Sequence, residues 1–207
     1  MAETGPENAG GEKVEGPLVR LTAAIVLGRW DALRALREAP DVRPDRRWRE
    51  AVLQCHLFAG FPRVVEAYVV LEESGGLGEP SVDELAAEPD RPERGRVLFD
   101  RIYGERADRV RALLERAHPD FARWIEGHAY GRVLTRPGLS AAERELLAVA
   151  ALAATGQDRQ LASHARGAVA CGAAPGAVAG VIDELADWVD TETLERARRV
   201  VERFSVG

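Results

Sequence analysis

The segment at residues 156–172 reads GQDRQLASHARGAVACG and contains the side chains best suited to chemistry. Its histidine, His164, can donate or accept a proton near neutrality, because an imidazole has a pKa of about 6.5. Helical spacing places five of its residues on one stripe: Gln157, Gln160, His164, Ala168 and Cys171. The segment is therefore either a helix that presents an acid–base group or a core helix that carries an incidental histidine.

The elements that must position this stripe are predicted to be helices throughout. Apolar residues recur at helical spacing from Leu18 onward, and no alternating pattern typical of a strand persists. Gly28 and Gly60 are suitable C-terminal stops, and Pro62 suits the first turn of a further helix. Ser140 followed three residues later by Glu143 predicts a capping box at a helix start. We therefore predict an all-α protein, a helical bundle.

The predicted organisation has four parts: a disordered tail at 1–16, a helical unit at 17–74, a linker at 75–95 and a second helical domain at 96–207. The two helical units follow a similar plan. A shift of 128 positions brings Gly28 onto Gly156 and Leu33 onto Leu161. This predicts two degenerate repeats, although a chance match between alanine-rich helices is the alternative. His164 then falls opposite Leu36, so the first repeat lacks the polar chemistry of the second.

Composition narrows the class of function. The chain of 207 residues has a formal net charge of −6, and acids are interleaved with its arginines, so no basic field for nucleic acid or an anionic membrane is expected. No apolar run reaches the length of a membrane span, and the N-terminus lacks the pattern of a signal peptide. The two cysteines, Cys55 and Cys171, make neither a disulfide framework nor a metal cage. We predict a cytoplasmic protein without cofactor or metal.

Residues 119–187 resemble the carboxymuconolactone decarboxylase family, which includes the alkylhydroperoxidase D branch. The resemblance rests on these residues and their spacing: Trp124, Tyr130-Gly131, Arg136-Pro137-Gly138-Leu139, Arg144-Glu145, Gln160-Leu161, His164, Gly167 and Gly172. CHLFAGFPRVVEAY in the first half is similar to the family's final segment, with Phe58 in the usual tyrosine position. The resemblance implies an alkylhydroperoxidase D-like helical bundle that assembles as a homo-oligomer, a trimer or hexamer.

One departure from the family pattern excludes a chemistry. The peroxidase branch carries a glutamate, two cysteines and a histidine; here these positions are Glu145, Gln157, Gln160 and His164. A thiol peroxidase needs a thiolate to attack the peroxide and a second thiol to resolve the product. Glutamine can do neither, so disulfide-based peroxidase activity at this site is not expected.

The decarboxylase branch implies a different use of the same positions. Loss of carbon dioxide from an unsaturated lactone acid leaves a dienolate that must be stabilised and then protonated on carbon. The resemblance implies His164 and Glu145 as catalytic residues. It implies Gln160, Arg136, Arg144 and Tyr130 as substrate-binding residues, with an arginine holding the substrate carboxylate. The expected partner is a small-molecule acid or lactone.

Two alternatives remain open at this stage. The chain could instead be a non-catalytic family member, an assembly or ligand-binding module, if His164 is fully buried among apolar side chains with no cavity and no carboxylate nearby. A thiol oxidoreductase that uses Cys171 ranks below both hypotheses, because a buried cysteine is usually a small apolar residue. Cys55 and His56 are adjacent and point to different helix faces, so they make a poor thiolate–imidazole pair.

Overall fold

The computed structural model describes residues 11–85, 91–174 and 176–204. Within these ranges the chain is helical and has no β-strand, apart from an isolated bridge between Glu12 and Ala173. The N-terminal helices are α1 (Gly16–Leu27), α2 (Trp30–Glu38), α3 (Arg46–Gln54), α4 (His56–Glu73) and α5 (Val82–Leu85). The C-terminal helices are α6 (Arg91–Tyr103), α7 (Ala107–Ala117), α8 (Pro119–Trp124), the π-helix (Ile125–Leu134), α9 (Ala141–Ala154), α10 (Asp158–Ala170), α11 (Ala177–Asp183) and α12 (Thr191–Phe204). The predicted all-α class is confirmed.

Glycine, proline and a capping box determine where several helices begin and end. Gly28 adopts a left-handed conformation (φ 68°) directly after α1. Gly60 (φ 77°) breaks the helical geometry inside α4 just before Pro62, as the sequence predicted. The Ser140 hydroxyl accepts from the Glu143 backbone N–H, and the Glu143 carboxylate accepts from the Ser140 N–H. This capping box starts α9, the helix that carries Glu145.

The core is built around α1 and α9. One apolar cluster occupies the N-terminal helices and a second occupies the C-terminal helices. Helix α1 contributes to both, because Leu21 and Ile25 face the first cluster whereas Ala23 and Val26 face the second. Helix α9 is buried along nearly its whole length. The two halves therefore share one continuous interior.

Helix α6 packs closely on the π-helix, and two glycines make this possible. A Cβ atom at Gly95 would lie 2.6 Å from the backbone nitrogen of Gly131. Side chains at this crossing would force the helices apart. The close approach fixes Tyr103, at the end of α6, against Tyr130 of the π-helix.

The structure modifies two of the predicted boundaries. Residues 11–15 lie within the predicted tail, yet the Glu12 N–H donates to the Gly172 carbonyl at 2.9 Å, and the Glu12 carbonyl accepts from the Ala174 N–H at 2.7 Å. The predicted linker contains α5 and the start of α6. Residues 1–10 and 86–90 lie outside the described ranges. The two-repeat organisation stays a prediction, although α1 and α9, which the shift brings together in sequence, contact each other.

The described helices include none that is both long and apolar enough to cross a membrane.

Candidate active site

A carboxylate–histidine pair joins α9 to α10. The Glu145 Oε2 atom lies 2.9 Å from Nδ1 of His164. The Glu145 side chain is 1% exposed, and that of His164 is 12% exposed. A carboxylate can only accept a hydrogen bond, so Nδ1 carries the hydrogen and Nε2 keeps its lone pair in the neutral imidazole. The predicted catalytic residues are therefore in contact, and the histidine keeps a small exposed fraction.

Two neighbours shape the pair. A Cβ atom at Gly167 would lie 2.4 Å from Glu145 Oε2, so only glycine leaves room for the carboxylate on this face of α10. The ring of Phe58, from the first turn of α4, meets the His164 ring edge-on at 6.1 Å between centroids. The N-terminal half thus contributes a wall to the site. Phe58 stands in the family's tyrosine position, which is the one sequence signal that could have identified it.

The stripe predicted along α10 runs from solvent to core. Gln157 and Gln160 are exposed, His164 is nearly buried, and Ala168 and Cys171 are buried. Gln160 forms no hydrogen bond with Glu145 or His164 in the described part of the chain. Its predicted substrate-binding role is therefore not reflected in any contact with the pair.

Arg136 and Arg144 belong to a different cluster. The Arg144 side chain is 1% exposed and donates to Glu50 Oε2 at 2.8 Å and to Gln54 Oε1 at 3.2 Å. Arg136 donates to both oxygens of Glu50, at 2.8 and 2.9 Å. Burial opposes ionisation of Glu50, yet the hydrogen bonds from Arg136 and Arg144 hold its pKa below the ordinary value.

This cluster changes the interpretation of both arginines. Their guanidinium groups join α3 to the segment between the π-helix and α9, and they do not face the Glu145–His164 pair. A buried guanidinium that already binds a carboxylate is not available to a substrate carboxylate. Both arginines therefore have a structural contact with Glu50, and their substrate-binding role stays a prediction.

Tyr130 is also placed differently from the prediction. It is 3% exposed, and its hydroxyl donates to the hydroxyl of Tyr103 at 3.2 Å. Burial raises its pKa well above the usual value, with further contributions from Tyr103 and Glu145. Tyr130 thus contacts Tyr103 in the core and is within electrostatic reach of Glu145. No pattern in the sequence marked Tyr103 as a candidate site residue, because its position depends on the packing of α6 on the π-helix.

The two cysteines are buried, unpaired thiols. Burial raises the pKa of Cys55 to about 12. Burial and the charge of Glu145 raise the pKa of Cys171 to about 11. Both residues therefore remain thiols at neutral pH and are weak nucleophiles, which disfavours the hypothesis of a thiol oxidoreductase.

A second pair of histidines links α4 to the π-helix. Nε2 of His56 lies 2.8 Å from Nε2 of His128. Nδ1 of His56 contacts the carbonyl of Leu53, and the His56 ring stacks on Phe61. Burial lowers the pKa of His128, and the charges of His56 and Arg132 lower it further. This pair connects two elements that flank the candidate site.

Among the residues that the structure describes, no three or more His, Cys, Asp or Glu side chains converge as a metal site would require. A groove of about 530 Å³ lies between α6, α7 and α8, lined in part by Phe99, Arg111 and Pro119. It does not include Glu145 or His164.

The fold and this pair define a class: an all-α protein in which two buried helices bring a glutamate and a histidine together without an accompanying thiol pair. Residues 119–203 match the model of the carboxymuconolactone decarboxylase family. The chain is also 31% identical over 139 residues to "Peroxisomal protein 2" of Schizosaccharomyces pombe. That similarity covers 65% of this chain and 63% of the relative's length.

Proposed function

We propose that the chain catalyses cofactor-free decarboxylation or isomerisation of a small carboxylated lactone or related acid, with His164 as the acid–base group and Glu145 as its partner. The observation that carries the proposal is the 2.9 Å contact between His164 Nδ1 and the buried Glu145 carboxylate. A carboxylate in this position orients the imidazole and stabilises its protonated form. The exposed edge of His164 leaves Nε2 as the atom that exchanges a proton with the substrate.

Each reaction is a proton transfer at carbon. In isomerisation, Nε2 removes a proton from a carbon next to a carbonyl, and the electron pair moves onto the carbonyl oxygen. The imidazolium then returns the proton to another carbon of the conjugated system. In decarboxylation, the electrons of the carbon–carboxylate bond move onto that oxygen as carbon dioxide leaves, and an imidazolium Nε2–H protonates the carbon. Glu145 stays ionised throughout.

A second candidate function is a non-catalytic assembly or small-ligand-binding module. It is favoured by the placement of the predicted substrate-binding residues, since Gln160 is exposed and both Arg136 and Arg144 are bound to Glu50. Its condition for His164, burial without a nearby carboxylate, is not met. We therefore favour the acid–base enzyme.

The test is a screen of carboxylated lactones and related unsaturated acids in deuterated water. Proton NMR records exchange, isomerisation and loss of the carboxylate in one experiment. General acid–base catalysis contributes about 10²–10⁴-fold, so we expect His164→Gln to lower the rate by about that factor and Glu145→Gln by a smaller one. His118→Asn is the matched control, because His118 lies on the surface and caps α8. Equal rates for wild type and His164→Gln would remove the catalytic role from His164.

The cellular location is a separate proposal. The sequence predicts the cytoplasm, whereas the name of the Schizosaccharomyces pombe relative indicates the peroxisome for that protein. We retain the cytoplasm as the proposal for this chain. Imaging of a tagged full chain with a peroxisomal marker decides between the two, and overlap of the signals would contradict the cytoplasmic proposal.

A further inference from the structure

Two tyrosine hydroxyls form a hydrogen-bonded pair within electrostatic reach of Glu145. The Tyr130 hydroxyl donates to the Tyr103 hydroxyl at 3.2 Å. Both rings pack on Phe99, with centroid distances of 4.4 Å for Tyr103 and 5.0 Å for Tyr130. Tyr130 is buried and Tyr103 is half-buried. Tyr103 is therefore the more exposed of the two tyrosines, and Tyr130 contacts it from the interior.

The tyrosine pair and the catalytic pair share one region of the interior. Ile102, the residue before Tyr103, contacts the Gly167 position that accommodates the Glu145 carboxylate. Burial raises the pKa of Tyr103. The hydrogen bond from Tyr130 opposes this effect, the charge of Glu145 adds to it, and the charge of Arg166 opposes it slightly. The phenol therefore keeps its hydrogen at neutral pH and can only serve as a donor or acceptor of hydrogen bonds.

One buried acceptor in this region lacks a counterpart among the described residues, and one hydroxyl donor is only part-buried. Glu145 Oε1 is buried and has no hydrogen-bond partner. The Tyr103 hydroxyl accepts the hydrogen of Tyr130 and is only part-buried, so its own hydrogen can be donated to solvent or to a ligand. Buried polar groups are nearly always paired, and exceptions cluster at functional sites. The unpaired oxygen of Glu145, on the carboxylate that contacts His164, and the hydroxyl donor of Tyr103 are together the complement of a polar ligand.

We propose that Tyr103 is a further catalytic residue of this site: its hydroxyl donates a hydrogen bond to the substrate oxygen that becomes negatively charged, and Tyr130 is the positioning residue that orients it. This inference rests on the proposed function and narrows its substrate class. The substrate needs a carbonyl oxygen conjugated to the reacting carbon, because only then does the electron pair reach an oxygen that Tyr103 can stabilise. Tyr103 keeps its proton, and His164 alone exchanges a proton with carbon.

The charge around Tyr103 agrees with an acidic substrate. Arg166 on α10 interacts electrostatically with Tyr103. Its charge lowers the pKa of Tyr103, and the pKa of Arg166 is lowered mainly by burial, with a smaller opposing effect of Tyr103. A guanidinium beside the hydroxyl that stabilises an oxyanion adds positive potential where an acid develops negative charge. Arg166 is therefore the candidate for the positive charge that Arg136 and Arg144 do not supply to a substrate.

The chain offers a matched set of variants, since Tyr68, Tyr103 and Tyr130 are its three tyrosines. Removing one donor to an oxyanion costs about 10²–10³-fold in kcat, so we expect this loss in Tyr103→Phe with little change in KM. Tyr130→Phe should lower kcat less, because the Tyr103 hydroxyl remains present but less well oriented. Tyr68→Phe, on the partly exposed face of α4, should match wild type.

A separate measurement, the pKa of Tyr103, tests whether Tyr130 positions the Tyr103 hydroxyl. The hydrogen bond from Tyr130 lowers the pKa of Tyr103, so Tyr130→Phe should raise that pKa in an NMR titration of ring-labelled tyrosine. An unchanged Tyr103 pKa would overturn the positioning role. If the wild type is active and Tyr103→Phe retains full activity, the catalytic role of Tyr103 is overturned and the proposed function stands. A wild type without turnover on every acid of the screen would instead overturn the proposed function and this inference with it.

Discussion

At the scale of single residues, the candidate site depends on small side chains as much as on functional ones. Glu145 comes from a helix that is buried along nearly its whole length, so its carboxylate occupies space that core residues would otherwise fill. Gly167 leaves that space open on α10, and Phe58 closes the other side of His164. The Glu145–His164 contact therefore depends on the size of the neighbouring side chains as well as on the two residues themselves.

Gly167→Ala is expected to disrupt the pair without changing either member. The new Cβ atom would meet Glu145 Oε2 at 2.4 Å and Ile102 Cγ2 at 3.0 Å, so the carboxylate must move away from His164. Overpacking of this kind costs about 1–3 kcal/mol of stability. Long-range nitrogen NMR of the His164 ring should show loss of the fixed Nδ1–H form.

Gly180→Ala is the control for this prediction, because a Cβ atom at Gly180 meets nothing within 4 Å. It should preserve both the stability and the His164 spectrum. An unchanged His164 spectrum in Gly167→Ala would show that the glycine does not make room for the carboxylate.

At the scale of elements, buried polar contacts decide which helices are held together. The Glu50 cluster joins α3 to α9 and to the segment after the π-helix, and the His56–His128 contact joins α4 to the π-helix. Both contacts connect the N-terminal helices to the domain that carries the catalytic pair. The elements of the first half therefore position the site even though they contribute no acid–base residue to it.

Glu50→Ala is expected to be strongly destabilising. It leaves the Arg144 guanidinium buried without its counter-charge, and removing one partner of a buried ion pair costs about 3–5 kcal/mol. Urea denaturation followed by circular dichroism measures the change in the free energy of unfolding.

Glu73→Ala serves as the comparison for Glu50→Ala, because Glu73 pairs with Arg34 on the surface. Exposed pairs of this kind contribute less than about 1 kcal/mol. Similar losses in the two variants would contradict the structural importance of the Glu50 cluster.

The His56–His128 contact predicts a pH dependence of stability. The pKa of His128 is lowered from 6.5 in the folded chain, so the unfolded chain binds this proton more readily. The free energy of unfolding should therefore fall as the pH drops through 6.5 toward the lower, folded pKa. Urea denaturation at a series of pH values measures this slope.

Replacing His128 removes the titrating group. His128→Gln should flatten the slope, whereas His118→Asn should retain that of wild type. A wild-type slope in His128→Gln would assign the pH dependence to another group.

At the scale of the whole molecule, helical periodicity predicted the fold well because the helix signals are local. Gly28, Gly60, Pro62 and the Ser140 capping box act within a few residues of themselves. The π-helix was not predicted, since its wider hydrogen bonding leaves no distinct pattern in an apolar, glycine-containing segment. The contacts of Arg144 with Glu50 and of Tyr103 with Tyr130 were also missed, because they join residues that are distant in sequence. Glu145 and His164 were found through the family resemblance, not through spacing alone.

The assembly of the whole chain stays a prediction that one surface makes testable. Helix α4 exposes Phe61, Val65, Tyr68 and Val69 on one side, and Phe61 and Val65 are 68% and 61% exposed. A contiguous apolar stripe of this kind is typical of an interaction surface. We therefore expect light scattering after size exclusion to show the trimer or hexamer that the family resemblance implies. Val65→Lys should shift the mass toward the monomer, because a charge would then be buried at the contact.

Val97→Lys on α6 is the matched control for this assembly prediction, since it changes another exposed valine in the same way. It should leave the mass unchanged if α4 forms the contact. A monomeric wild type would contradict the predicted assembly. A wild-type oligomer that persists in Val65→Lys would instead place the contact on another surface, and α4 would then need a different explanation for its exposed apolar stripe.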